Sequence, residues 1–216
     1  MKSLSHIRTE YKKGSLDQQD LDKNPLNLLS VWLEQAVSAK VPEPTSMCLS
    51  TINSSGGVSS RIVLAKKVNL EGITFFTNYE SSKAQQINAN PLASIVFYWA
   101  ELERQIRIEG KVEKISEKLS DEYYYSRPLQ SKLGAWASAQ STVISSRDVL
   151  EKSFKQAEEK WGDSPPRPPF WGGLILIPSE FEFWQGRPSR LHDRFSYTNS
   201  YSKTDTKKWL VQRLAP

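Results

Sequence analysis

The sequence predicts a mainly β protein with inserted helices, an α+β fold arranged as a barrel decorated by helices. Three observations support this prediction. Many short segments have apolar residues at alternate positions and are separated by Gly, Pro and Asn turn signals. Helical spacing is confined to a few stretches, of which the longest covers about 117–161. The 216 residues contain no repeat and no dividing linker, so we expect one folded domain at 24–216 after a flexible polar arm at 1–23.

Composition and charge limit the classes of protein to which the chain can belong. Aromatic residues make up 11% of the chain, whereas disordered chains are poor in them. Cys48 is the only cysteine, so we expect neither an intramolecular disulfide nor a metal site. The N-terminus has no apolar signal segment, and the longest apolar run is far shorter than the roughly 20 residues that span a bilayer. These features predict a soluble, cytoplasmic protein. The net charge of +5 suits nucleic acids and phosphorylated ligands, but an ordinary excess of surface lysine explains it equally well.

The first half of the chain is predicted to form a helix, a hairpin and a second helix. Asn24 suits the N-cap and Pro25 the first helical position of a helix whose apolar residues run from Leu28 to Val37. The strands "MCLSTI" and "VSSRIVLAKKV" flank the turn signal "NSSGG". After the strand "ITFFTN", a serine is expected to cap the helix "SSKAQQINANP", which Pro91 ends.

The second half is predicted to contain strands on either side of a helical region. "LASIVFYWA" is expected to be a buried strand, and "RQIRIEGKVEKIS" a long, half-exposed one because apolar and charged residues alternate. The helical stretch is broken near "SRPLQSKLGAW" and "SAQS", and the Pro-rich "GDSPPRPPF" is a loop. The strands "GGLILIP", "FEFWQG", "DRFSYT" and "KKWLVQRLA" complete the chain.

Two segments of the first half place cations where a ligand can reach them. A regular strand at "SSRIVLAKK" puts Arg61 and Lys66 on opposite faces, so one of them meets solvent or a ligand. The helix start at "SSK" combines free backbone N–H groups with Ser81, Ser82 and Lys83, which favours a phosphate. Each pattern has an ordinary explanation: exposed strand ends in the first case, and a serine cap with a solvated lysine in the second.

Two later segments show similar ambiguity. Gln105 shares a strand face with Arg107, and its amide can recognise both donor and acceptor edges of a heterocycle. Tyr123 and Arg127 are four residues apart, so on a helix they line one face and can hold a phosphate. The alternatives are a solvent-facing edge strand and a Tyr–Arg surface pair.

The segment "FEFWQGRPSRLHDRF" (181–195) gathers three arginines, a histidine and an aspartate behind an aromatic strand. Trp184 is expected to offer a flat ring surface beside a polar site. His192 titrates near neutrality and can bind or protonate an anionic ring substituent, whereas Asp193 need only neutralise a neighbouring arginine. Because three cations close in sequence repel one another unless an anion gathers them, we disfavour a simple surface ion-pair network.

These motifs together resemble the pyridoxamine (pyridoxine) 5′-phosphate oxidase family. The resemblance rests on "RIVLAK", "FFTN", "RQIRIEG", "SRPLQSKLGAWAS", "FWGG", "EFWQGRPSRLHDRF" and the terminal "RLAP", which occur in order from about residue 6 to the end. It implies a split barrel that forms a homodimer with FMN at the subunit interface and binds neither nucleic acid nor membrane. It also implies oxidation of pyridoxamine or pyridoxine 5′-phosphate to pyridoxal 5′-phosphate. The implied mechanism transfers a hydride from substrate C4′ to flavin N5 and reduces O2 to H2O2.

The resemblance also implies site residues, position by position. The implied FMN contacts are Arg61, Ile62, Val63, Leu64, Ala65, Lys66, Phe76, Thr77, Ser82, Lys83, Gln105, Gln140, Ser141, Trp184 and Arg194. The implied substrate contacts are Arg8, Thr9, Glu10, Tyr11, Lys66, Tyr123, Arg127, Ser131, Arg190, Leu191 and His192. Arg190 and His192 are the implied catalytic residues. We therefore expect Lys66, Arg127 and Arg190 to line one shared cavity.

Two positions depart from the family pattern. Ser82 stands where the family has an arginine in an "SRK" run, which predicts weaker FMN binding because a guanidinium fork is lost. Phe76 replaces a tyrosine, so only its backbone and ring are expected to contribute.

Two other functions stay open at this point. One is a non-oxidase flavin or related cofactor binder on the same barrel, because a fold does not determine a function. The other is a basic nucleic-acid-binding barrel, in which cations would follow a backbone between stacking aromatic residues.

Overall fold

The computed structural model of the chain describes residues 3–7, 9–201 and 207–216. Over these residues, one antiparallel sheet of nine strands is accompanied by five α-helices, which confirms the predicted mainly β fold with inserted helices. The helices are α1 (Pro25–Ser38), α2 (Ser82–Ala89), α3 (Glu117–Ser126), α4 (Leu129–Ala137) and α5 (Arg147–Trp161). The strands are β1 (Ser46–Ile52), β2 (Val58–Leu64), β3 (Lys67–Asn69), β4 (Gly72–Asn78), β5 (Leu92–Trp99), β6 (Arg104–Lys114), β7 (Trp171–Gln185), β8 (Asp193–Tyr201) and β9 (Lys207–Leu214).

The strand order is β2-β1-β5-β6-β7-β4-β3, and β8 pairs with β7 and β9. Strand β7 is central, since it pairs with β4 through its first half, with β6 along most of its length and with β8 through its last residues. In the described part of the chain, no helix combines the length and apolar character needed to cross a membrane.

The core lies between the inner face of the sheet and α1. Alternate residues of the central strands are fully buried, among them Ile95, Ile106 and Phe183. Asn24 caps α1 by accepting the Leu26 N–H, as predicted. The ring of Trp32 on this helix lies edge-on to Phe183 at 5.3 Å, so α1 closes one face of the barrel. Burial of an aliphatic or aromatic side chain of this kind stabilises the fold by about 1.5–3 kcal/mol.

The predicted strand 58–68 is two strands. The Ala65 N–H still bonds to Thr45, whereas the Lys66 N–H donates to the carbonyl of Thr74 on β4. The chain thus changes partner between residues 65 and 66, which ends β2 and starts β3. A change of partner strand depends on tertiary structure, so alternation of residue types does not reveal it.

Strand β5 is half-buried, and the prediction of a buried strand is wrong. Leu92 and Tyr98 on its outer face are 57% and 55% exposed, while Ile95 and Phe97 are fully buried. The apolar outer face of β5 is therefore available to cover another surface.

Strand β7 is continuous, although "GGLILIP" and "FEFWQG" were predicted as two strands. Pro178 cannot donate to the ladder, and the register of β6 against β7 shifts at Glu109/Gly110, opposite this proline. Gly110 permits the close approach, because a Cβ there would lie 2.2 Å from the carbonyl oxygen of Ile177.

The helical region is also divided differently from the prediction. "SRPLQSKLGAW" was predicted as a break, but most of it forms α4, and the interruption is confined to Arg127 and Pro128. A residue before proline favours extended backbone, and Arg127 has ψ 150°. This kink places Arg127 just beyond the end of α3.

We expect Gly110→Ala to destabilise the protein by about 2–3 kcal/mol, because the added methyl group forces the β6–β7 bulge apart. Gly134→Ala is the matched control. A Cβ at Gly134, inside α4, has open space around it. The alanine should therefore stabilise the helix by about 0.5–1 kcal/mol. Urea unfolding at one protein concentration measures both. Equal stability of the two variants would contradict this account of the bulge.

Candidate functional site

A cleft of about 690 Å³ opens between β2, β4 and the helices α3 and α4. We call this cavity the cleft. It brings together eleven of the residues predicted from the sequence. They are Ile62, Val63, Leu64, Lys66, Phe76, Thr77, Lys83, Tyr123, Arg127, Ser131 and Gln140.

Stacked rings form one wall of the cleft. Phe76 on β4 lies face to face with Tyr123 on α3 at 3.8 Å, and Trp171 stacks on Phe76 at 5.5 Å. The two glycines after Trp171 allow this packing. A Cβ on Gly172 would meet the Tyr79 hydroxyl at 2.1 Å, and one on Gly173 would meet Ile115 at 2.2 Å.

Arg127 is a half-buried cation that lacks an anionic partner. Its guanidinium lies 4.5 Å above the Trp171 ring, and burial lowers its pKa. Among the described residues, its buried NH1 has no hydrogen-bond partner and no carboxylate pairs with it. Arg127 was predicted to share a helix face with Tyr123; it lies beyond the helix end, but both side chains reach the cleft. A buried donor without a partner is costly, so this position suits an anion.

Lys83 provides a second cationic position, at the start of α2. Its Nζ donates to Gln140 Oε1 at 2.8 Å and to Thr77 Oγ1 at 3.1 Å. Burial, with a smaller contribution from the charge of Arg61, lowers the pKa of Lys83. An anion beside it would offset both effects.

The serine at the start of α2 does not cap the helix. Ser81 occupies the N-cap position, but its hydroxyl donates to the Asn78 carbonyl at 2.7 Å, and within the described residues no side chain caps the helix. The predicted serine cap is therefore wrong in its hydrogen bonding. The first N–H groups of α2 remain available to an anion. Ser82 is exposed at this helix start.

Four predicted cofactor residues of this region lie outside the cleft lining. Arg61 is turned inward and donates to Thr51 Oγ1 at 2.5 Å and to Gln86 Oε1 at 3.1 Å. Ala65 is buried in the core, whereas Ser82 and Ser141 are exposed.

A second group of predicted residues surrounds the end of β7. Trp184 lies 5.5 Å from the ring of Tyr11 and 4.7 Å from that of His192. We call these three rings the aromatic cluster. Gln105 on β6 pairs with Trp184 in the sheet, and so does Arg194 on β8.

His192 is held with a defined proton arrangement. Its Nδ1 accepts the backbone N–H of Arg187 at 3.1 Å. Burial, followed by the charges of Arg190 and Arg194, lowers the pKa of His192 below its ordinary value of 6.5. The imidazole is therefore neutral at pH 7 with its proton on Nε2, where it can donate to a ligand.

The prediction that disfavoured an ion-pair network is wrong for two of the three arginines. Arg194 Nε lies 2.8 Å from Glu182, and Arg187 lies 3.4 Å from Asp193. Glu182 and Asp193 come from neighbouring strands, so carboxylates of the chain itself neutralise these cations. Arg190 makes no ion pair within the described part of the chain, and its φ of 61° places it in the left-handed region.

The N-terminal segment lies against the aromatic cluster. The carboxylate of Glu103 accepts the N–H groups of Lys12 and Lys13 at 2.7 and 2.8 Å. These bonds hold Tyr11 against Trp184. Thr9, Glu10 and Leu191 are exposed, and Arg8 lies outside the described residues.

The cleft and the aromatic cluster occupy opposite ends of β7. Trp171 lines the cleft, and Trp184 stands thirteen positions further along the strand. At the usual rise of about 3.3 Å per residue, this is about 40 Å of strand. Lys66 and Arg127 line one cavity, as expected. Arg190 is not among its lining residues within one chain, so its place in a shared cavity of a dimer stays a prediction.

Several site residues were not predicted. Trp171 supports Arg127, Glu182 orients Arg194, and Glu103 anchors the N-terminal segment. Trp171 belongs to the quoted "FWGG" motif, which was the available signal. The sequence contained no such signal for Glu182 and Glu103, because their partners are distant in the sequence.

Comparison with known proteins matches nearly the whole chain. A family described as "Pyridoxamine 5'-phosphate oxidase" matches residues 33–161, and a "Pyridoxine 5'-phosphate oxidase C-terminal dimerisation region" matches residues 171–216. Two proteins named "Pyridoxine/pyridoxamine 5'-phosphate oxidase", from Paraburkholderia phytofirmans and Burkholderia thailandensis, are 53% and 51% identical over the full length of both chains.

Two solved structures are similar in fold. PhzG from Burkholderia lata 383, in complex with tetrahydrophenazine-1-carboxylic acid, has a TM-score of 0.85 and 31% identity, covering 94% of this chain and all of the other. A pyridoxamine 5'-phosphate oxidase-related, FMN-binding protein from Nostoc punctiforme has a TM-score of 0.70 at 18% identity, covering 91% of this chain and all of the other. The fold is a split β-barrel.

The pKa of His192 can be measured directly. We expect its imidazole to titrate below pH 6.5 in an NMR titration, with the signal assigned by a His192→Asn variant. Arg190→Ala should raise that pKa, because it removes a nearby positive charge that disfavours protonation. A midpoint at or above 6.5 in the unmodified protein would contradict the described environment.

Proposed function

Because the chain belongs to the pyridoxamine 5′-phosphate oxidase family, we propose that it oxidises pyridoxamine or pyridoxine 5′-phosphate to pyridoxal 5′-phosphate with FMN and O2. The observation that carries the proposal is the unpaired guanidinium of Arg127 in the cleft, beside Lys66 and Ser131. These groups suit the phosphate of a small substrate, which binds through charge-assisted hydrogen bonds.

The residues of the cleft fit FMN. Lys83 and the free N–H groups at the start of α2 would hold its phosphate, with Thr77 and Gln140 adding polar contacts. Residues 62–66 would lie along the flavin ring system. The volume of the cleft is within the range of small-molecule sites. Ser82 supplies only a hydroxyl where a guanidinium would add a second charge.

Bound FMN would supply the redox chemistry by accepting a hydride from substrate C4′ at flavin N5, and O2 would take up the hydride equivalent and one proton to become H2O2. The alcohol substrate would also lose its hydroxyl proton, whereas the amine substrate would consume water and release ammonia. The chain itself binds and orients. Lys66, Tyr123, Arg127 and Ser131 would hold the substrate phosphate. Arg190 and the Nε2–H of neutral His192 would contact the pyridine ring and its oxygen substituents, fixing the C4′ hydrogen and stabilising developing charge.

The reacting ring requires both the cleft and the aromatic cluster. Because they lie at opposite ends of β7, we infer that the aromatic cluster of one subunit completes the cleft of its partner, with FMN at the interface. The match to a C-terminal dimerisation region supports a homodimer. An apolar outer face is available to meet the partner, since Ile62 on β2 is 65% exposed and Tyr98 on β5 is also exposed.

The second candidate function is oxidation of a substrate without phosphate, because the structure of PhzG contains tetrahydrophenazine-1-carboxylic acid. The set of Lys66, Arg127 and Ser131 favours the phosphorylated ring. A nucleic-acid site is not favoured, because the stacked rings of the cleft are packed on one another and do not form a row open to successive bases.

We expect Arg127→Met to raise KM for pyridoxine 5′-phosphate and to lower kcat/KM by roughly 10–100-fold, because one charge-assisted hydrogen bond is lost. FMN content should stay unchanged. Arg190→Ala should instead lower kcat at unchanged FMN content. Peroxide release and the bleaching of flavin bands on anaerobic substrate addition measure both. Failure of the unmodified, FMN-loaded protein to oxidise the phosphorylated ring would contradict the proposed function.

We expect Ser82→Arg to bind FMN more tightly, by about tenfold, because a guanidinium at the helix start adds a charged donor to the flavin phosphate. Ser54→Arg, in the exposed β1–β2 turn, changes the net charge equally and is the control. Fluorescence titration of the apoprotein with FMN measures both. Equal affinity of the two variants would contradict the placement of the phosphate at α2.

A further inference from the structure

The Pro-rich segment before β7 carries an arginine that joins two walls of the cleft. The side chain of Arg167 is only 8% exposed. Its Nε donates to Asp121 on α3 at 2.6 Å, and its NH1 donates to the backbone carbonyl of Trp171 at 2.6 Å. Its NH2 pairs with Glu117, one turn earlier on α3.

This arrangement involves two neighbours of Arg127. Asp121 lies two positions before Tyr123 on α3, and Arg127 follows the end of that helix. The Arg127 guanidinium lies over the ring of Trp171. Arg167 therefore ties the helix that precedes Arg127 to Trp171, the residue on which the Arg127 guanidinium lies.

Arg167 is not itself a free cation for a ligand. Two carboxylates of α3 neutralise its charge, and it is not among the residues that line the cleft. Without Arg167, Asp121 and Glu117 would be two unpaired negative charges on the helix that leads to Arg127. They would weaken the attraction of this region for an anion and compete for its guanidinium.

We propose that Arg167 is a positioning residue for the substrate phosphate: it holds α3 and Trp171 in the arrangement that aims Arg127 into the cleft, and so favours phosphorylated over phosphate-free ligands. The proposal rests on the proposed function, because it assumes that Arg127 binds the phosphate.

The test compares Arg167→Met with the unmodified FMN-loaded enzyme. We expect KM for pyridoxine 5′-phosphate and the inhibition constant of pyridoxal 5′-phosphate to rise together, by about tenfold. The inhibition constant of phosphate-free pyridoxal, kcat at saturation and the FMN dissociation constant should stay within about twofold. A change in general packing would not separate these quantities. Arg147→Met, which breaks an exposed ion pair with Glu151 on α5, is the control and should change none of them.

Two further variants keep the test decisive if Arg167→Met does not fold. Asp121→Asn removes the same ion pair at a half-exposed position and should raise the inhibition constant of pyridoxal 5′-phosphate several-fold. Arg167→Lys keeps the charge and should recover part of the affinity. Equal weakening of pyridoxal and pyridoxal 5′-phosphate, or loss of FMN, would overturn the proposal. An unmodified enzyme that binds both ligands equally would instead contradict the proposed function.

Discussion

The continuity of β7 is the constraint on which the site depends. One strand of 15 residues pairs with β4 at its start, with β6 along most of its length and with β8 at its end, so its first and last residues belong to different parts of the sheet. Trp171 at its start belongs to the cleft, and Trp184 near its end belongs to the aromatic cluster. The register shift at Gly110 accommodates Pro178 and keeps the strand unbroken. In the proposed arrangement, a ligand that needs both groups takes them from two chains, which agrees with the match to a dimerisation region.

Arginines play two different parts in this protein. Arg167, Arg187 and Arg194 are paired with carboxylates of the chain, and each joins separate segments. Arg127 and Arg190 have no carboxylate partner within the described residues. A buried or strained cation without a partner is costly, and such cost is usually found where a ligand supplies the missing charge. The paired arginines thus join segments of the fold, whereas Arg127 and Arg190 are the two to which the proposed function assigns the phosphorylated ring.

Local signals predicted much of the fold. The turn "NSSGG" predicted the β1–β2 hairpin, and Asn24 with Pro25 predicted the start of α1. Alternation predicted the exposed and buried faces of β6. The errors lie where distant residues decide the outcome. The break between β2 and β3 depends on a hydrogen bond to Thr74, and the continuity of β7 past Pro178 depends on Gly110 in β6.

The site followed the same pattern. Motifs predicted most of the cleft residues, but they could not show that Lys83 bonds to Gln140, 57 positions away in sequence. Nor could they show that Glu182 neutralises Arg194, because strand pairing makes that contact. Motifs also could not show that Arg190 lies away from the cleft of its own chain, because that separation depends on the continuity of β7.

The central claim is that each reactive site combines the cleft of one subunit with the aromatic cluster of the other. Mixed dimers of an Arg127→Met chain and an Arg190→Ala chain, isolated with two different affinity tags, test it directly. If the two groups come from different chains, each mixed dimer has one intact site and one doubly altered site. At substrate concentrations well below KM, where both parent variants are slow, turnover per dimer should then recover to about half that of the unmodified enzyme. If both groups come from the same chain, every site carries one substitution, and turnover no higher than that of the two parent variants would contradict the account.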